Sequence, residues 1–534
     1  MSNHPNGTRK AARSRQLVAW IAIMGFAGVC DPTAAFESPP HDPLNIVLFL
    51  VDDLGWQDLS VPMHDEATPL NARYRTPAAE RLAAEGMRFS NAYASAPVCT
   101  PTRTSIMTGM CPARSGVTYW TLHRDRDTSA KHPSLDPPPW RMNGLDEQDV
   151  TLPSLLRRAG YRTIHVGKAH FGAHESFAAD PTRIGFDINV AGHASGGPAS
   201  YYGTHHFTVA GRQGKDPSSS SSVWDIPGLE SYHGQDIYLT EALATEAAQA
   251  IRNAVSDGQP FFLNFAPYAV HAPIMANHQY LGEYAELDDR EAAYATMIET
   301  VDAALATLID TLEEVEALDR TIIIYSSDNG GLSAHARGAA PDGQTRHTHN
   351  APLRSGKGSA YEGGVRVPLI VRWPNAVPRP SVSHAPVVSH DFFPTILAMS
   401  GVPVPKAHEP SVDGIDLTPL LRGESHDEFL DRSILFHQPH QWGASGPGIE
   451  PFTSIRHGSW KLIYFHEGPR FELYDLSSDV GESQNVAAER PALVRDLADR
   501  MTEWIDETNA QLSIDRVSGA PIGRPDAAAR RQFP

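Results

Sequence analysis

Leu44-Asn45-Ile46-Val47-Leu48-Phe49-Leu50-Val51 runs straight into Asp52-Asp53. The run is almost wholly apolar and does not alternate. A strand with one wet face alternates, so this stretch reads as a strand buried on both faces, at the centre of a parallel sheet. Ligands of such sheets bind beyond the carboxyl ends of the strands. The acid pair that closes the run therefore stands where chemistry is expected. Outward from it, 162–166, 261–265, 321–325 and 368–372 read as further strands. Helical patterns lie between them. Residues 76–85 carry Pro77 in the first turn and stop at Gly86, and 152–158 closes at Gly160. Residues 237–255 and 291–312 are long and Ala-rich. This alternation predicts an α/β fold with a large, mainly parallel sheet flanked by helices.

Two excursions, 192–234 and 330–358, interrupt the rhythm, and long loops in a compact protein tend to be functional. From about Arg432 the apolar runs become short and closely spaced. They predict a small antiparallel sheet followed by a terminal helix over 491–509. The expected organisation is a signal peptide over 1–35, a catalytic domain over 36–430 and a smaller C-terminal α+β subdomain over 431–534.

The signal peptide is read from Arg9, Lys10, Arg13 and Arg15, then the apolar stretch 17–30, then Thr33-Ala34-Ala35 as a cleavage site. A retained anchor is the alternative. With no later stretch long and apolar enough to span a bilayer, the expectation is a periplasmic or secreted protein without stable membrane insertion. The formal charge of −19 repels a phosphate backbone and excludes nucleic acid as a general partner. An anion could be held only by a local cluster of cations or by a metal.

Such a cluster can be assembled from strand ends. Asp328-Asn329 follows 321–325 much as Asp52-Asp53 follows the first strand. Three carboxylates and an amide oxygen are hard ligands that suit Ca²⁺ or Mg²⁺. His170, in Gly167-Lys168-Ala169-His170, and His271, in His271-Ala272-Pro273, also follow strands. Lys357 lies between Gly356 and Gly358, which let backbone approach a ligand. Singly, each of these residues is ordinary: a capped turn, a structural histidine, a solvated lysine. Cleavage would remove Cys30 and leave Cys99 and Cys111, which either pair or leave Cys99 chemically special. Cys99 lies in Val98-Cys99-Thr100-Pro101-Thr102-Arg103. Pro101 suits the start of a helix running to Met107 and ending near Gly109. That places Cys99 at the positive end of a helix, with Arg103 about a turn along, as a nucleophile at an anion-binding terminus.

The Cys-x-Pro-x-Arg core, with Thr108-Gly109 after it, resembles the signature of the type I sulfatases of the alkaline phosphatase superfamily. The segments 45–57, 160–170, 327–330 and 357–368 resemble further segments of that family, in the family's order, with Ala169 where Trp is usual. The resemblance implies an alkaline phosphatase-like fold and oxidation of Cys99 to formylglycine by a maturation enzyme during export. It implies that Asp52, Asp53, Asp328 and Asn329 hold Ca²⁺ (Mg²⁺ being the alternative) together with an oxygen of modified residue 99. Arg103, Lys168 and Lys357 would neutralise the sulfate and the modified residue. His271 would protonate the leaving alcohol, and His170 would help expel sulfate from the intermediate. It also makes Cys111 a buried free thiol, since pairing would block maturation.

The implied substrate is a sulfated carbohydrate. The segment 184–203 is similar to environmental bacterial sulfatases acting on sulfated polysaccharides, which suggests exo-action on galactose-type sugars. Specificity is expected from the first excursion, from the His123-Arg124 region and from the C-terminal part, where His437, His440 and Trp442 are candidates to contact a sugar, with plain surface residues as the equal alternative. One alternative keeps the fold and makes the enzyme a phosphodiesterase or phosphonate monoester hydrolase. The other is an inactive binding protein for sulfated glycans; it would be expected to lack a nucleophile or metal residue, and every matched position is intact.

Overall fold

The computed structural model describes residues 43–338, 346–424 and 427–534. The expected signal peptide, 1–35, lies outside the described residues. The opening run forms β1 (Asn45–Val51), buried along its whole length. It sits inside an eight-stranded sheet with β2 (Met87–Phe89), β3 (Arg162–Gly167), β4 (Ile188–Val190), β5 (Phe261–Ala266), β6 (Thr321–Ser327), β7 (Leu369–Arg372) and β8 (Ser381–Ser383), in the order β8-β2-β7-β6-β1-β5-β3-β4. All neighbouring pairs are parallel except those made by β7, which runs against both β6 and β2. Gly330, just past β6, donates its N–H to the Gly364 carbonyl at 2.9 Å, so the described chain just before β7 lies at the carboxyl end of β6 and β7 enters the sheet from there, reversed.

Helices cover the sheet. The helix Leu239–Ser256 turns Leu243, Ala247, Ile251 and Ala254 inward. The helix Asp289–Glu314 is the one described helix long and apolar enough to cross a membrane. This corrects the expectation that none beyond the leader reaches that length. Its apolar window is 78% buried inside the protein, as for a core helix. The nucleophile segment forms α1 (Cys99–Thr108), closed by Gly109 at φ 74°.

The C-terminal sheet is antiparallel and sequential: β9 (Ser433–Gln438), β10 (Phe452–His457), β11 (Trp460–Phe465), β12 (Arg470–Asp475). Strand β11 shows why it is two-faced. Leu462 and Tyr464 pack with Val494, Leu497 and Met501 of α2 (Pro491–Thr508). Ile463 and Phe465 point the other way, onto Ala360, Tyr361 and Val365. Fully buried Lys461 lies 2.9 Å from Glu362 and 3.0 Å from Glu482. The small sheet thus braces the loop that carries Lys357.

Candidate active site

Register builds the acidic centre. Val51 pairs with Ser327. The next residues of the two strands, Asp52-Asp53 and Asp328-Asn329, therefore emerge side by side. Asp52, Asp53 and Asp328 are all buried, with ligand oxygens within 4.8 Å of one another. Asp53 is held at φ 61° and His170 at φ 54°, a conformation rarely taken by non-glycine residues and common at functional sites.

Three buried cations answer the three carboxylates. Lys168 Nζ lies 2.7 Å from Asp52 Oδ1. Arg103 Nε donates to Asp328 Oδ2 at 2.7 Å, and another of its nitrogens donates to the Lys168 carbonyl at 2.8 Å. Lys357 Nζ lies 2.6 Å from Asp53 Oδ1. Burial raises all three carboxylates, but the neighbours decide the outcome. Lys357, His271 and Lys168 hold Asp53 well below the usual range, and Arg103 and Lys168 lower Asp328. Asp52 stays raised, because burial plus the charges of Asp328 and Asp53 outweigh Lys168 and Arg103. Asp52 Oδ2, Asp53 Oδ2 and Asn329 Oδ1 are buried without a hydrogen-bond partner. Buried oxygens are rarely left so. An all-oxygen set of this kind fits a hard divalent cation, which would supply the missing partner to each.

Cys99 is buried at the first turn of α1, and its Sγ lies 3.3 Å from His170 Nδ1. His170 Nε2 is 2.7 Å from the Thr121 carbonyl. A carbonyl only accepts, so Nε2 carries the proton. Burial, with Lys168, holds His170 neutral, well below its usual value. Its Nδ1 lone pair therefore faces residue 99. His271 is arranged in the opposite sense. Its Nδ1 lies 2.7 Å from the Ala272 carbonyl and so carries the proton, leaving Nε2 toward Asp53 Oδ2 at 3.7 Å. Burial and Lys357 lower its pKa to about 3. All the residues expected from the sequence, Asp52, Asp53, Cys99, Arg103, Lys168, His170, His271, Asp328, Asn329 and Lys357, converge on this one site.

Cys99 and Cys111 are both free and buried, as the resemblance implies. Other expectations change. His437 and His440 are not sugar contacts. His437 is buried between Thr453 and the Gln511 carbonyl, and His440 between Thr118 and Ser129. Arg124 lines a different cavity, beside Glu175 and Arg183. Trp442 does reach the site. It lines a cavity of about 200 Å³ with Val98, Cys99, Trp120, Trp224, His271 and Lys357. Trp120 and Trp224 had no sequence signal, since nothing local marks a tryptophan that folds back over a distant strand end.

The glycines of the first excursion press on both histidines. A Cβ on Gly196 would fall 2.6 Å from His170 Cε1, and one on Gly197 would fall 2.6 Å from His271 Nδ1. Gly196→Ala should therefore tilt His170 and lower kcat by about 10- to 100-fold, with the melting temperature nearly unchanged. Unaltered kcat would show that the ring can shift freely.

The "Sulfatase" family model matches residues 44–402, and the model "N-sulphoglucosamine sulphohydrolase, C-terminal" matches residues 356–511. N-acetylgalactosamine-6-sulfatase of Rattus norvegicus is 31% identical over 437 residues, covering 80% of this chain and 73% of its own. Arylsulfatase A of Homo sapiens is 29% identical, covering 83% of each chain. The crystal structure of Ps i-CgsB in complex with k-i-k-neocarrahexaose superposes with a TM-score of 0.70 at 25% identity, over 92% of this chain and 97% of that one.

Proposed function

Since the chain belongs to the sulfatase family, we propose that it hydrolyses sulfate esters of carbohydrates through a formylglycine made from Cys99, with Ca²⁺ held by Asp52, Asp53, Asp328 and Asn329. The observation that carries this reading is the buried carboxylate trio beside Cys99, with three partnerless oxygens. Three buried carboxylates against Arg103, Lys168 and Lys357 make the protein's own charges formally neutral. A divalent cation bound there would then suit a sulfate ester with one negative charge and a nucleophile that gives up one proton.

When bound, the cation would act as a Lewis acid toward the sulfate and lower the pKa of the attacking hydroxyl. The rest falls to the chain. Lys357, 2.6 Å from Asp53, and Lys168 supply positive charge where sulfate oxygens gather charge. His271, whose Nε2 is 3.7 Å from Asp53 Oδ2, would protonate the leaving alcohol. The bound sulfate anion favours its protonation, against the effect of burial and Lys357. His170 Nδ1, with its lone pair toward residue 99, takes a proton from the hydrate hydroxyl as sulfate departs, which restores the aldehyde. Ala169, where the family usually has Trp, trims the wall beside Lys168 and His170 and leaves the charged groups in place.

The relatives named for N-acetylgalactosamine 6-sulfate and the Ps i-CgsB complex with its carrageenan-type ligand support a galactose-type sugar. Export to the periplasm or the medium, and maturation on the way, belong to the same reading and rest on residues 9–35. The test is a comparison of 4-nitrophenyl sulfate with bis(4-nitrophenyl) phosphate, using protein matured with a formylglycine-generating enzyme. The sulfate should turn over with the higher kcat/KM. Dominant diesterase activity would favour the phosphodiesterase alternative and overturn this reading.

A further inference from the structure

Three tryptophans close around Cys99, and each is tied to a neighbour of a catalytic group. Trp120 precedes Thr121, whose carbonyl holds His170. Trp224 comes from the far end of the first excursion, and its carbonyl accepts from Ala199 N at 2.7 Å, close to the Gly196-Gly197 pair that presses on the two histidines. Trp442 comes from the C-terminal region and is seated on Gly358, beside Lys357. A Cβ at Gly358 would lie 2.0 Å from the Trp442 ring. On its other side Trp442 meets His335 edge to face at 4.8 Å. The three indoles are half-buried, so their ring surface is open to the cavity rather than consumed by the core.

The chemistry of the cavity is lopsided. Beyond Cys99, His170, His271 and Lys357, its lining is Val98, Trp120, Gly196, Trp224 and Trp442. These offer aromatic faces and no further cation. At about 200 Å³ the cavity falls below the roughly 300 Å³ of ordinary drug-sized sites. It has room for one ring and not for a chain segment. A second cavity of about 500 Å³ shares His271, Lys357 and Trp442 with it, and adds Ile274, Leu332, His335 and Arg290. Trp442 thus stands between a small apolar bay and a larger, cation-edged one.

We propose that Trp120, Trp224 and Trp442 form a cage for one pyranose at a chain end whose only charge is its single sulfate, with the linked residues of the glycan running into the larger cavity. The inference rests on the hydrolase reading above and deepens it. The axial C–H face of a pyranose is weakly positive and apolar, and indole faces are electron-rich, so stacking would orient the ring while Lys357 and the neighbouring catalytic groups engage its sulfate. A carboxylate or a second sulfate on the same ring would be buried among indoles with no partner, which is costly.

The test uses calcium-loaded, matured protein with galactose 6-sulfate, galactose 2,6-disulfate and 4-nitrophenyl sulfate. Trp224→Ala and Trp442→Ala should each raise KM for galactose 6-sulfate about tenfold, and the Phe substitutions should restore it to within about threefold. Calcium content and melting temperature report any general loss of structure. Wild-type kcat/KM for the disulfate should be about tenfold or more below that for the monosulfate. Unchanged KM in both Ala variants, or equal handling of mono- and disulfate, overturns the cage. If wild-type protein releases sulfate from none of these esters, the hydrolase reading falls. Calorimetric binding of galactose 6-sulfate to Cys99→Ala protein, with and without Trp224→Ala, then decides the cage by itself. A rise in KM for galactose 6-sulfate larger than the rise for 4-nitrophenyl sulfate in both Ala variants marks the cage as built for a sugar face rather than any ring.

Discussion

Cys99→Ala is expected to abolish sulfate release, by on the order of 10⁴-fold or more, as when a covalent nucleophile is removed from comparable hydrolases. The fold should survive. Cys99 is 4% exposed and its side chain is small, so the lost sulfur leaves a minor void costing about 1 kcal/mol. The loss is large because every neighbouring group is arranged around this one atom. His170 Nδ1 is 3.3 Å away, and its tautomer is set by Thr121. Residue 99 opens α1, whose N-terminus has no side-chain cap, so the positive end of the helix dipole lies at the same place. Sulfate release from 4-nitrophenyl sulfate, with thermal unfolding as the control, measures the effect. Activity within tenfold of wild type would remove Cys99 from the nucleophile role. Mass spectrometry of the peptide containing residue 99 gives a second reading, since maturation replaces its sulfur with oxygen.

How this site could be read from sequence, and where that reading stopped, follows from the range of each signal. The central strands were legible because burial on both faces forces unbroken apolar runs, as in 45–51 and 321–325. Their carboxyl ends carried the acids and histidines, so strand position alone grouped most of the site. The edge strand Ser381–Ser383 and its neighbour Met87–Phe89 have three residues each and show no period to detect. The reversal of Leu369–Arg372 follows from where the preceding loop lies, which is a tertiary fact. His437 and His440 looked like surface ligands beside Trp442 because a buried, hydrogen-bonded histidine has the same sequence appearance as an exposed one. The bond from His437 to the Gln511 carbonyl spans 74 residues of chain. Trp120, Trp224 and Trp442 come from three distant segments, and only the folded chain brings them to one cavity.

Asp328 carries the second large expectation, and it separates the metal from the nucleophile. Its carboxylate touches both Arg103, at 2.7 Å, and Lys168, at 3.8 Å, and all three side chains are fully buried. Asp328→Ala leaves two buried cations short of a partner, and breaking such a pair costs about 3–5 kcal/mol. Lost activity in that variant could therefore come from a weakened fold. Asp328→Asn avoids the confusion. The amide oxygen can still accept from Arg103 Nε, so the shape and one hydrogen bond remain, while the charge that would hold a divalent cation is gone. Wild-type melting temperature should rise with added calcium, because a ligand bound only by the folded state stabilises it by mass action. Both variants should lose that rise, and both should lose turnover by about 10³-fold or more. Asp328→Ala should also melt well below Asp328→Asn in the absence of calcium, since it alone removes the Arg103 contact. Survival of the calcium-dependent rise, the bound calcium and the turnover in Asp328→Asn would mean that the ion, if one binds, sits elsewhere. The partnerless oxygens of Asp52, Asp53 and Asn329 would then need another explanation.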